Sequence, residues 1–68
     1  MRDRLLNTLK YERERLGLTQ AALAEAVGVS RKTINTVENV VFLPSTLLAL
    51  ELARVLDRPV GKLFQLND

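Results

Sequence analysis

The chain has 68 residues, ten basic and eight acidic, for a formal net charge of +2, and a domain of this size buries only about 60% of its unfolded surface. That excludes a multidomain enzyme. With no cysteine and no histidine, disulfides, thiolate chemistry, the usual zinc ligands and the commonest general base near neutral pH are excluded as well.

A hydrophobic fraction of 47% with only three glycines and two prolines fits a compact globular domain and not a disordered tail. Small domains usually need a staple, and oligomerisation is the one this composition leaves. The charge is unevenly spread: residues 1–38 carry seven Lys or Arg against five acids, whereas residues 39–68 carry three of each. No stretch approaches the roughly 20 apolar residues of a membrane span, and the opening MRDRLL lacks the apolar core of a secretory signal. The expected setting is therefore the cytoplasm, with no membrane partner.

Apolar residues recur at three- and four-residue steps and nowhere alternate over a strand's length, so the pattern predicts helices almost throughout. Leu6, Leu9 and Leu16 mark one face of a first helix that stops near Gly17, while Glu12, Glu14 and Arg15 form a solvated face. Thr19 caps a second helix with Leu23, Ala24 and Val27 inward, ended by Gly28. Ser30 caps a third, over about 30–38, whose buried side is Ile34 and Val37 and whose Arg31, Lys32, Thr33, Asn35 and Thr36 project elsewhere. After a loop at 39–44, Ser45 opens a fourth helix with Leu48, Ala49, Leu52, Ala53 and Leu56 inside and Asp57 closing it. Pro59 presets a brief fifth helix carrying Val60, Leu63 and Phe64. Residues 1–68 are expected to form one domain.

The informative unit is TQAALAEAVGVSRKTINTVEN. A small residue, Ala24, sits where two helices would cross closely, Gly28 supplies positive φ in a short turn, and Ile34 plugs the angle between the helices. With RERLGLTQ before it and PSTLLALELARVLDRPVGKLF after it, the chain resembles the helix-turn-helix family of phage repressors and Cro, and within it the short single-domain bacterial regulators. The resemblance covers nearly the whole chain. It implies an all-α, compact five-helix repressor-like domain with the helix-turn-helix at helices two and three, and a short two-stranded ribbon joining the chain ends, where Leu5 and Leu6 pair with the segment around Gln65.

The same resemblance implies that double-stranded DNA is the partner; no cofactor is expected, no metal in a chain without cysteine or histidine, and no small-molecule effector in one without a spare domain or evident pocket. Arg31, Lys32, Thr33 and Thr36 match positions that face base edges, and Thr19, Gln20, Ser30, Asn35 and Asn39 match positions that touch phosphates. The chemistry agrees, since Arg31 can bond guanine O6 and N7 together, Lys32 can reach the same atoms or a phosphate, and a threonine methyl can meet a thymine methyl. Arg13 and Glu38 match positions that pair across helix one and the end of helix three, orienting the recognition helix. One departure stands out: Val40 and Val41 replace the family's usual glycine and basic residue, so a left-handed turn there would fall to Asn39, while Phe42 occupies the usual tyrosine position.

The function expected is a sequence-specific DNA-binding transcription regulator, a repressor, that binds a palindromic operator as a homodimer. The alternative is an antitoxin-type protein-interaction module that binds a toxin partner and uses DNA only for autoregulation. Enzymatic activity is not expected, because Ser30 and Ser45 have no histidine to activate them. The dimer surface is expected at Leu47, Leu50 and Leu66, with Leu63 and Phe64 completing the monomer core.

Overall fold

A computed structural model of the chain describes residues 4–39 and 44–67, with side chains over 7–39 and 44–65. In chain order the elements are β1 (Arg4–Asn7), α1 (Leu9–Arg15), α2 (Gln20–Val27), α3 (Arg31–Asn39), α4 (Thr46–Leu56), α5 (Val60–Leu63) and β2 (Phe64–Asn67). Among the described residues five helices thus carry the fold, and the strands at the two ends pair antiparallel, with Leu5 opposite Leu66 and Leu6 opposite Gln65. Val40, Val41 and Phe42, and the Leu66 side chain, lie outside the described residues.

Helix starts and stops follow local chemistry. The Thr19, Ser30 and Ser45 hydroxyls accept the N–H of Ala22, Thr33 and Leu48 at 3.0, 3.1 and 3.1 Å, each satisfying one donor that the first turn leaves free. Three helix ends share one closure. The N–H groups of Gly17, Gly28 and Asp57 donate to the carbonyls of Glu14, Glu25 and Arg54, and the residue after each donates to the carbonyl five positions before itself. This double bond pattern requires a left-handed residue, and φ is 73° at Gly17, 79° at Gly28 and 56° at Asp57.

Leu9, Leu23, Ala24, Ile34, Val37, Leu52, Leu56 and Leu63 form the buried core, to which every helix contributes. Truncating any of its leucines to alanine would remove roughly 2–5 kcal/mol, a large part of the stability of so small a domain. Leu18, Val27, Val29, Leu48, Ala53, Val55 and Phe64 pack against this cluster from its edge.

The sequence pattern is corrected in four places. Leu6 belongs to β1 and not to α1, because Asn7 ends the strand: its Oδ1 accepts from Leu9 N at 2.8 Å and starts the helix there, while its Nδ2 donates to the Val37 carbonyl. Leu16 lies past the last turn of α1 and is exposed. Phe64 begins β2, where its extended backbone (φ −132°, ψ 120°) ends α5. Asn39 remains helical, with its Nδ2 donating to the Asn35 carbonyl at 3.0 Å, so it supplies no left-handed turn. An isolated two-stranded ribbon is marginal in water. This one is tied to the helices by Asn7 and by Thr8, whose N–H donates to the Leu63 carbonyl at 3.0 Å and whose hydroxyl donates to the Lys62 carbonyl at 2.8 Å.

Candidate nucleic-acid interface

Between α2 and α3 lie only Gly28, Val29 and Ser30. Gly28 turns the chain, Val29 packs against the core, and Ser30 caps α3. Ala24, 3% exposed, lies in the core against which α3 seats Ile34 and Val37. A bulkier residue at Ala24 would have to displace that packing.

With Ile34 and Val37 inward, helical periodicity turns Arg31, Lys32, Asn35 and Asn39 outward, and all four are exposed. Thr36 is half-buried beside this strip. Thr33 is also half-buried, and its hydroxyl lies 3.0 Å from that of Ser30, off the centre of the exposed face. Thr19, at the N-cap of α2, and Gln20, its first residue, lie next to the strip: Arg31 Nη1 donates to Gln20 Oε1 at 3.1 Å, and Asn35 Nδ2 stands 3.5 Å from the same oxygen.

Arg13, Arg15, Arg54 and Arg58 are each bonded to a carboxylate, whereas Arg31 and Lys32, like the exposed Lys10 and Lys62, form no ion pair among the described residues; only Arg31 and Lys32 of these are adjacent in sequence. Two adjacent, unneutralised cations at the start of an exposed helix attract a polyanion, and the polar side chains around them can donate to phosphate or base edges.

Beneath the strip is a buried ion pair. Arg13 Nε donates to Glu38 Oε2 at 2.7 Å and its Nη2 to Oε1 at 3.2 Å, with the side chains 9% and 1% exposed. Arg13 Nη1 also donates to the Leu18 carbonyl at 2.7 Å, and Gln20 Nε2 donates to Glu38 Oε1 at 3.0 Å. The Glu38 hydrogen bond, reinforced by its charge against the opposing effect of burial, raises the Arg13 pKa. One pair thereby ties α1, the loop before α2, the first residue of α2 and the end of α3 together.

A second ionic cluster was not expected from the sequence. Glu12 is 3% exposed, not part of a solvated face. It accepts from Arg15 Nε at 2.6 Å and lies 3.3 Å from Arg58 Nε, and Arg15 Nη2 reaches the Leu56 carbonyl at 3.1 Å. The hydrogen bond from Arg15, against the opposing effect of burial and with the charges of Arg58, Arg15 and Lys62 adding to it, holds the Glu12 carboxyl below its ordinary value. The signal was present in the spacing, since Leu9, Glu12 and Arg13 stand at i, i+3 and i+4 and so share the inward face of α1.

Leu47 and Leu50 are 71% and 56% exposed. Leu50 rims a shallow apolar groove lined also by Pro44, Thr46, Ala49, Val60 and Phe64. Among the described residues, no helix is long and apolar enough to cross a membrane.

Comparison with known proteins agrees with this architecture. A helix-turn-helix family model matches residues 9–63. The chain is 48% identical over 50 residues to an uncharacterized HTH-type transcriptional regulator of Methanothermobacter thermautotrophicus, covering 74% of this chain and 72% of that one. It is 36% identical over 62 residues to the uncharacterized HTH-type transcriptional regulator YgzD of Bacillus subtilis, covering 91% and 94%. A third such regulator, from Archaeoglobus fulgidus, is 41% identical over 56 residues, covering 82% and 80%. A three-residue turn between two capped helices, an ion pair beneath them and these matches along most of the chain lead to one assignment: the chain belongs to the helix-turn-helix family of transcriptional regulators.

Proposed function

We propose that the chain binds double-stranded DNA sequence-specifically with α3 in the major groove and regulates transcription by occupying an operator as a repressor. The observation that carries this reading is the exposed strip of α3, where Arg31 and Lys32 stand without acidic partners among the described residues beside Asn35 and Thr36. Arg31 is assigned to guanine O6 and N7, with Lys32, Thr33 and Thr36 meeting neighbouring base edges. Thr19, Gln20, Ser30, Asn35 and Asn39 are assigned to phosphates, which set register without reading sequence. Gln20 has one amide hydrogen for this, because the other is committed to Glu38.

The working unit in this reading is a homodimer. The apolar groove beside α4 and the exposed Leu47 and Leu50 form a surface that a monomer has little reason to keep, and Leu66 is assigned to the same interface. A two-fold dimer would set two copies of α3 about 34 Å apart, one turn of B-DNA, and so select a palindromic site. Selection of bound duplexes from a random pool tests both parts together. The expected result is an enriched site with two-fold symmetry and a half-site spacing near one helical turn. Recovery of no preferred sequence would refute the reading.

A further inference from the structure

Asn7 belongs to the strand pair, yet its side chain bonds to α3. Its amide has one workable orientation: the Leu9 N–H can only donate, so Oδ1 faces it at 2.8 Å, and Nδ2 is left to donate to the Val37 carbonyl, which can only accept. The last four carbonyls of a helix have no partner within it, and in α3 these run from Thr36 to Asn39. Asn7 therefore supplies, from 30 residues away, a donor that α3 itself lacks. Opposite Asn7 in the strand ladder stands Phe64, which packs against the core, so the strand end that carries Asn7 is itself held.

Side-chain packing leaves the tilt of α3 to be set at its ends. Ile34 and Val37 choose the inward face and the Ser30 hydroxyl holds the start, while the end is held through the Glu38 carboxylate and, independently, through the Val37 carbonyl. Val37 lies about 9 Å beyond Arg31 along the helix axis. A slip of about 1 Å at that end would exceed the roughly 0.5 Å within which binding groups must be placed. We propose that Asn7 is a positioning residue for DNA recognition: by tying the end of α3 to the ribbon of β1 and β2, it fixes the angle at which the exposed strip meets base edges. This role rests on the assignment of α3 to DNA, and it gives the ribbon a task beyond joining the chain ends.

Two variants, Asn7→Asp and Asn7→Ser, test it, since both keep a short side-chain acceptor for the Leu9 N–H and both remove the donor toward α3. In the free protein, residual dipolar couplings of the amides in 31–39 should depart from the orientation that α3 shares with α2 and α4 in the unaltered chain. On DNA, preference for a selected duplex over a random one should fall roughly three- to tenfold, the worth of one hydrogen bond. A merely destabilised variant loses binding to both duplexes in proportion to its unfolded fraction, so that ratio does not respond to stability alone. Couplings that fit the unaltered orientation, or an unchanged ratio, would overturn the proposal. The underlying assignment fails separately: if the unaltered chain itself prefers no duplex, α3 does not read DNA and the positioning role falls with it. If the unaltered chain has a preference and both variants keep it, recognition by α3 stands and the positioning role alone is refuted.

Discussion

Removing Glu38 should do more damage than its place at the end of a surface helix suggests. Its carboxylate accepts from Arg13 Nε and Nη2 and from Gln20 Nε2. In Glu38→Ala the Arg13 guanidinium, 9% exposed, would keep, among the described residues, only the Leu18 carbonyl at 2.7 Å and the distant Glu14 carboxylate at 4.0 Å. Breaking a buried pair in this way costs about 3–5 kcal/mol, against a total stability of roughly 3–10 kcal/mol for a domain this size. Arg13→Ala should cost a similar amount, because it leaves Glu38 buried with Gln20 as its single remaining partner among the described residues. The double variant strands neither charge, so its loss should fall short of the sum of the two by about 1–3 kcal/mol. Urea unfolding of the four proteins measures this. A second comparison separates stability from orientation: Arg13→Met with Glu38→Leu fills the site with apolar atoms and should recover most of the stability, since such replacements are often neutral or better. It should nonetheless weaken operator preference, because Gln20 loses its anchor. A coupling energy indistinguishable from zero would mean that Arg13 and Glu38 are two independent charges.

Three further outcomes follow from particular contacts. Glu12 has a folded pKa below its unfolded one, so the unfolded chain binds the extra proton first. Its stabilisation is complete above the ordinary carboxylate value of about 4.3 and is lost as pH falls through the folded value; Glu12→Gln should flatten that acid limb in thermal melts from pH 3 to pH 7, and an unchanged slope would contradict the assignment. Asp57 adopts φ 56° where glycine is at ease, so Asp57→Gly should raise stability by up to about 1 kcal/mol, while Gly28→Ala should lower it by more than about 1 kcal/mol through backbone strain alone, since nothing lies near the added Cβ; chemical denaturation resolves both signs. Leu50→Glu should leave the helical circular dichroism intact and shift sedimentation toward monomer with loss of binding to the two-fold site, whereas an unaltered sedimentation profile would place the dimer surface elsewhere.

The helices were legible because their ends are written locally. Thr19, Ser30 and Ser45 announce starts, Gly17, Gly28 and Asp57 announce ends, and Ile34 and Val37 declare the inward face of α3 three residues apart. The candidate site was legible to the same depth, as residue types at helical spacing on either side of a glycine turn. What local pattern does not carry is choice of partner. Leu6 has the right spacing from Leu9 for a helix, and only the family resemblance pointed to its pairing with Gln65, far along the chain. Glu12 is charged at an inward position because Arg15 and Arg58 converge on it from α1 and from beyond α4. The turning of the Gln20 amide toward Glu38 likewise depends on three elements meeting, so only the folded chain displays it.

If α3 and the start of α2 form the surface that meets DNA, a backbone amide NMR titration with a duplex from the random-pool selection will map to them. The largest shifts are expected at Gln20, Arg31, Lys32, Asn35 and Thr36, with the core positions Leu52 and Leu56 nearly unmoved. Shifts centred on α4 and the Leu50 groove, with the α3 strip unperturbed, would contradict it.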